Sequence, residues 1–141
     1  MTFLLKRWRK TVIFFITVGY AIANAWRAIA ISQQATLLQA YEPTISTNLR
    51  FYIAIIWAII FTIFAITNRS NGSKSKIALP FAILIYALYR YVLFARFAQS
   101  VYAKESAIFF TLVHIFFALL VFITNRPVSY THLTLPTIYS V

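Results

Sequence analysis

Four apolar runs, at 11–31, 51–67, 77–98 and 107–123, fill most of this 141-residue chain and leave only short polar stretches between them. A run of about 20 apolar residues makes a helix of about 30 Å, the thickness of a bilayer's hydrocarbon core. In lipid every backbone amide and carbonyl must be satisfied inside the structure, which restricts a spanning segment to a helix or a closed barrel. These runs are continuous rather than alternating, so they dictate helices. Hydrophobic residues make up 62% of the sequence, more than a soluble core of this size could hide. The expected fold is all-α, an integral membrane bundle of four transmembrane helices forming a single domain over 1–127.

The same composition leaves little material for catalysis. The chain has no Asp and no Cys, two glutamates (Glu42, Glu105), two histidines (His114, His132) and two glycines (Gly19, Gly72). Paired carboxylates, thiol chemistry, Cys-based metal sites and a glycine-rich phosphate loop are all out of reach. His114 is the one strong ligand inside a span, and a haem or metal site would want a second. No enzymatic activity and no cofactor are expected.

A net charge of +11 raises the question of nucleic acid, but the basic residues are broken up by apolar runs instead of lining one soluble face. Anionic lipid headgroups are the expected partner. Lys6, Arg7, Arg9 and Lys10 cluster around Trp8 just before the first span, and Lys74 and Lys76 follow the second. With Arg69 and Arg126 they put eight basic residues on one side of the membrane. Five remain for the other (Arg27, Arg50, Arg90, Arg96, Lys104), so the N- and C-termini are expected to be cytoplasmic by the positive-inside rule. Trp26, Trp57, Tyr52 and Tyr102 are expected to serve as an outer aromatic belt and in packing.

Between the spans, 32–50 reads as a helix leaving the membrane along its outer surface and breaking near Pro43. Ser70 to Ser75 reads as a turn around Asn71-Gly72, and Pro80 falls in the first turn of the third span, where its missing amide hydrogen is harmless. A basic start, an apolar stretch and small residues at 21–25 also describe a signal peptide, whose cleavage would leave three spans. Ile66-Thr67-Asn68-Arg69 recurs as Ile123-Thr124-Asn125-Arg126. Two spans stopping at the same interface explain the recurrence, and a duplicated helical hairpin is the alternative.

The tail 128–141 is a separate matter. Val128-Ser129-Tyr130-Thr131-His132-Leu133 can be written in codons as GTC TCT TAT ACA CAT CTG, and the match continues to Thr137. It resembles read-through of the adapter used in transposase-based sequencing libraries. The tail is therefore expected to be non-native and is set aside.

The polar residues inside the spans carry the functional expectation. Counted along the helices from their expected ends, Asn24 and Arg90 lie about 21 Å across the membrane, Arg27 about 25 Å, and His114 about 12 Å below the outer surface. Asn24 and Arg27 share a helix face. An arginine at the centre of a span costs about 2.5–3.5 kcal/mol on insertion scales, so it usually faces a partner, a wet cavity or the bundle interior. One expectation makes Arg90 an anion-binding group in an outward-facing pocket with Arg27, Asn24, His114, Tyr86 and Tyr89. The other has Arg27 and Arg96 snorkelling to headgroups while Arg90 bonds Asn24, a backbone carbonyl or Glu105 and fixes packing.

In size and span number the chain resembles several groups of small bacterial four-span proteins, with no motif that matches residue by residue. A bacterial plasma membrane is the expected location. The expected role is accessory or structural, in contact with other membrane subunits, a second copy, or anionic lipid. The alternative is a small oligomeric transporter or channel for an anionic solute or lipid headgroup.

Overall fold

The computed structural model describes residues 2–33, 45–69, 73–97 and 100–125. All four expected spans are helices: α1 (Thr2–Ser32), α2 (Thr47–Arg69), α3 (Ser73–Phe97) and α4 (Val101–Asn125). Each is long and apolar enough to cross a membrane. No strand occurs among the described residues. Of the expected surface segment 32–50, residues 34–44 lie outside them, and Thr47–Arg50 belong to α2 instead; of the expected turn 70–75, residues 70–72 lie outside, and Ser73–Ser75 already open α3; the tail lies outside.

The helices run past the apolar limits because their ends are capped. Ser46 Oγ accepts the Leu49 amide at 3.3 Å, and Ser100 Oγ accepts the Ala103 amide at 3.1 Å. A serine one residue ahead of the helix satisfies an amide that has no partner within it. This moves the start of α4 back from 107 to Val101. Within the spans, hydroxyls bond their own helix: Thr17 Oγ1 donates to the Ile13 carbonyl at 2.7 Å, and Thr62 and Thr111 do the same one turn back. Such local bonds remove the cost of a hydroxyl in hydrocarbon.

The expectation for Pro80 needs correction. Because α3 begins at Ser73, Pro80 lies inside the helix rather than in its first turn. A proline there has no amide hydrogen for the carbonyl four residues earlier, that of Lys76. The structure supplies another donor, since Asn125 Nδ2 at the end of α4 reaches the Lys76 carbonyl at 2.7 Å. The second Ile-Thr-Asn stretch thus ties α4 to α3. Its threonine matches the first copy: Thr67 bonds the Ile63 carbonyl at 2.9 Å and Thr124 the Leu120 carbonyl at 2.8 Å.

Packing is antiparallel and cyclic. Contact is most extensive within the pairs α1–α2 and α3–α4, and narrower along α1–α4 and α2–α3. Ile13, Tyr20, Phe61, Leu79, Ile83, Tyr86, Ala118 and Val121 form a core drawn from all four helices. A smaller cluster, Ala28, Ile31 and Ala54, joins only α1 and α2, where small side chains let the backbones approach. α1 and α3 bury the larger shares of their spans, 28% and 33% against 17% for α2 and α4. They also carry most of the polar residues in question. Trp8, Trp26, Tyr52 and Tyr102 are exposed. Arg7 and Lys10 are exposed and Arg9 and Lys76 half-buried, while Lys6 and Lys74 are placed on helical backbone only.

Candidate functional site

Each span has a polar-tipped ring at its middle. Tyr20, Trp57, Tyr86 and His114 all fall within one residue of the midpoint of their spans, Arg7–Ser32, Thr47–Asn68, Lys76–Phe97 and Val101–Asn125. An up-and-down bundle brings equal depths together, so four rings contributed by four helices converge at one level. The Tyr86 ring lies 5.7 Å from Tyr20, 4.9 Å from Trp57 and 5.2 Å from His114. Phe61 stacks on Tyr20 at 4.7 Å and meets Tyr86 edge-on at 5.6 Å. Edge-to-face and offset contacts of this kind suit the ring quadrupoles.

Two hydrogen bonds cross the bundle at or beside this level. The Tyr20 hydroxyl and His114 Nδ1 are 2.8 Å apart, linking α1 to α4. The Tyr86 hydroxyl donates to Asn24 Oδ1 at 3.1 Å, linking α3 to α1, and Asn24 Nδ2 donates to the Tyr20 carbonyl at 2.9 Å. Asn24 is 1% exposed, and both partners occupy it within the bundle. Interhelical bonds in lipid hold helices in one rotation and register.

The arginines lie further along. Measured from mid-span, Arg90 is about 5 Å away, Asn24 about 7 Å and Arg27 about 11 Å, all toward the end carrying the α1–α2 and α3–α4 connections. Arg27 is buried, with its charge close to the Tyr89 hydroxyl. Arg90 sits over the Phe94 ring at 4.4 Å, near enough to Tyr89 and His114 for its charge to act on both. A guanidinium over an aromatic face gains more in a dry setting than in water.

The six residues singled out from sequence, Arg90, Arg27, Asn24, His114, Tyr86 and Tyr89, therefore form one connected group. His114 is deeper than its expected place: α4 starts at Val101, which puts it mid-span, about 20 Å along the helix. Trp57 departs from the belt reading, since it packs at mid-span against Phe61, Tyr86 and Tyr89. Tyr20, the ring that touches α2, α3 and α4 together, was not among the expected residues. A tyrosine in an apolar run attracts little notice, and the signal that would have found it is the shared midpoint.

Beside the ring cluster lies a cleft of about 420 Å³, lined by Phe15, Ile16, Gly19, Tyr20 and Ala23 of α1, Tyr86 of α3, and His114 and Phe117 of α4. It follows the narrow α1–α4 seam. Phe15, Gly19 and Ala23 are exposed, so at mid-span the cleft opens sideways to the bilayer. Its walls are apolar and its floor is the Tyr20–His114 pair. A Cβ added at Gly19 would meet nothing within 4 Å. Among the described residues no three His, Cys, Asp or Glu side chains converge as a metal-ligand set.

Compared with protein-family models, with curated proteins and with solved structures, the chain matches none.

Proposed function

We propose that this chain is an accessory or structural protein of a bacterial plasma membrane, without catalysis of its own, that associates laterally with other membrane subunits or a second copy and with anionic lipid. One observation carries the reading. The polar groups at mid-span are bonded to one another across helices, while the cleft beside them is apolar and faces the bilayer. That arrangement suits contact within the membrane better than passage through it.

The charge supports the lipid half of the reading. Thirteen Lys and Arg stand against two glutamates, so most of the compensating anions must come from outside the chain. Near a membrane surface each basic residue gains about 1 kcal/mol from anionic lipid.

The test compares the purified chain in nanodiscs of phosphatidylcholine alone and with added phosphatidylglycerol. The anionic lipid is expected to raise the thermal midpoint, and salt to erase part of the gain by screening. Liposomes containing the chain are expected to pass chloride and phosphate no faster than empty ones. A transport reading draws on Arg27, Tyr89 and Arg90 gathering toward one end of the bundle. Flux in the parent that Arg90→Ala abolishes, with folding intact, would replace the accessory role by transport of an anion.

A further inference from the structure

The floor of the α1–α4 cleft offers a hydrogen-bonding atom that the protein itself does not use. His114 Nδ1 is engaged with the Tyr20 hydroxyl at 2.8 Å. Its other ring nitrogen, Nε2, has no hydrogen-bond partner among the described residues, and His114 lines the cleft. A polar atom facing hydrocarbon without a partner costs several kcal/mol, so an occupant able to bond it is favoured over one that cannot.

Depth narrows the choice of occupant. His114 lies one residue from the middle of its span. Phospholipid ester carbonyls and phosphates belong to the interface, about 15 Å away in a core of about 30 Å, and an acyl tail has nothing to bond with at this level. The carbonyls of a neighbouring helix are already taken by its own amides. A class that meets both conditions is an apolar molecule that lives within the hydrocarbon and carries ring oxygens.

We propose that the cleft between α1 and α4 binds a membrane quinone, its ring among Phe15, Tyr86 and Phe117 and one ring oxygen at His114 Nε2. The cavity volume lies within the range of about 300–1,000 Å³ usual for small-molecule sites. The flanking rings offer stacking surfaces to a flat ring. The Tyr20–His114 pair can also serve both forms of such a molecule. With the Tyr20 hydroxyl donating to Nδ1, Nε2 carries the hydrogen and donates to a quinone carbonyl; with the pair reversed, Nε2 accepts from a quinol hydroxyl. This binding requires no metal or haem ligand, the grounds on which a cofactor was not expected.

Trp57 provides the readout, because its ring is 4.9 Å from Tyr86 in the cleft wall. The probe is a dimethoxy-methyl-benzoquinone with a ten-carbon tail, titrated into the full chain in phosphatidylcholine nanodiscs. The chain carries Trp8→Phe and Trp26→Phe, both at exposed positions, so that Trp57 alone reports. Saturable quenching is expected. Gly19→Leu should fill the cleft without displacing the backbone and weaken binding at least about tenfold; Ala23→Leu serves as a second filling variant should the first fail to fold. His114→Leu should weaken binding about as much and His114→Gln, which keeps a donor and an acceptor, by less. Thermal midpoints verify that each variant folds. Quenching that never saturates, or that folded Gly19→Leu and Ala23→Leu leave unchanged, would show mere partition into lipid and overturn the site. Decylbenzene competing as well as the quinone would overturn the hydrogen bond at its centre. Neither result touches the lipid and flux tests of the accessory role.

Discussion

The two halves of the bundle are held by different forces. Toward the end where α1 begins, Ile13, Phe61, Leu79, Ile83, Ala118 and Val121 close a dry core contributed by all four helices. Toward the other end, the small-residue cluster joins α1 to α2 alone, and Asn24 and Arg27 are buried beside half-buried Tyr89 and Arg90. Lipid tails are as apolar as leucine, so the first half holds by close packing. Packing alone tolerates sliding and rotation among similar faces. The second half removes that freedom, because a bond such as Tyr86 to Asn24 exists at one register only. One half supplies cohesion and the other supplies address.

Substitutions in each half should differ in kind as well as size. The largest loss is expected from Phe61→Ala, which empties a fully buried site against Tyr20, Trp57 and Tyr86 and should cost about 3–5 kcal/mol. Reversible unfolding in bicelles measures it. A cost below about 1 kcal/mol would mean that the dry half does not hold the bundle.

Asn125→Leu should cost about 1–3 kcal/mol, because the Lys76 carbonyl loses its donor. Adding Pro80→Ala returns an amide hydrogen to that carbonyl and should recover much of the loss. A double-mutant cycle in the same unfolding assay isolates the coupling, and additive effects would contradict it.

Asn24→Leu removes the Tyr86–Asn24 bond between α3 and α1 and should cost about 0.6–1.7 kcal/mol, the usual scale for interhelical bonds in lipid. Its sharper signature is loss of register, seen as a broadened pattern of cysteine cross-links between α1 and α3. Trp26→Ala should have the smallest effect, within about 0.5 kcal/mol, since Trp26 is 69% exposed.

This contrast also explains what could be read from the sequence. Spans were legible because sustained apolar runs have one stable form in lipid. Asn24, Arg27, Arg90 and His114 were legible because polar residues in such runs are rare and must find one another. The dry half was not, because its helices are apolar on every side and nothing in the residue type distinguishes buried Ile83 from exposed Ile85. Helix starts were missed for a different reason. Ser46 and Ser100 act through their position one residue ahead of the first turn, while apolarity fades gradually there. The bond between Asn125 and the Lys76 carbonyl needs two segments 49 residues apart, which no local pattern contains.

That bond sets an order of events as the chain is made. When α3 enters the membrane, Pro80 has already denied the Lys76 carbonyl its usual partner, and the replacement has not yet been synthesised. At about 5–20 residues per second, the 49 residues from Lys76 on to Asn125 take roughly 2.5–10 s. During that interval the beginning of α3 is best left near the headgroups, where water can stand in for Asn125. The arrival of the α4 end then satisfies that carbonyl within the protein, so Asn125 at the end of α4 completes the first turns of α3.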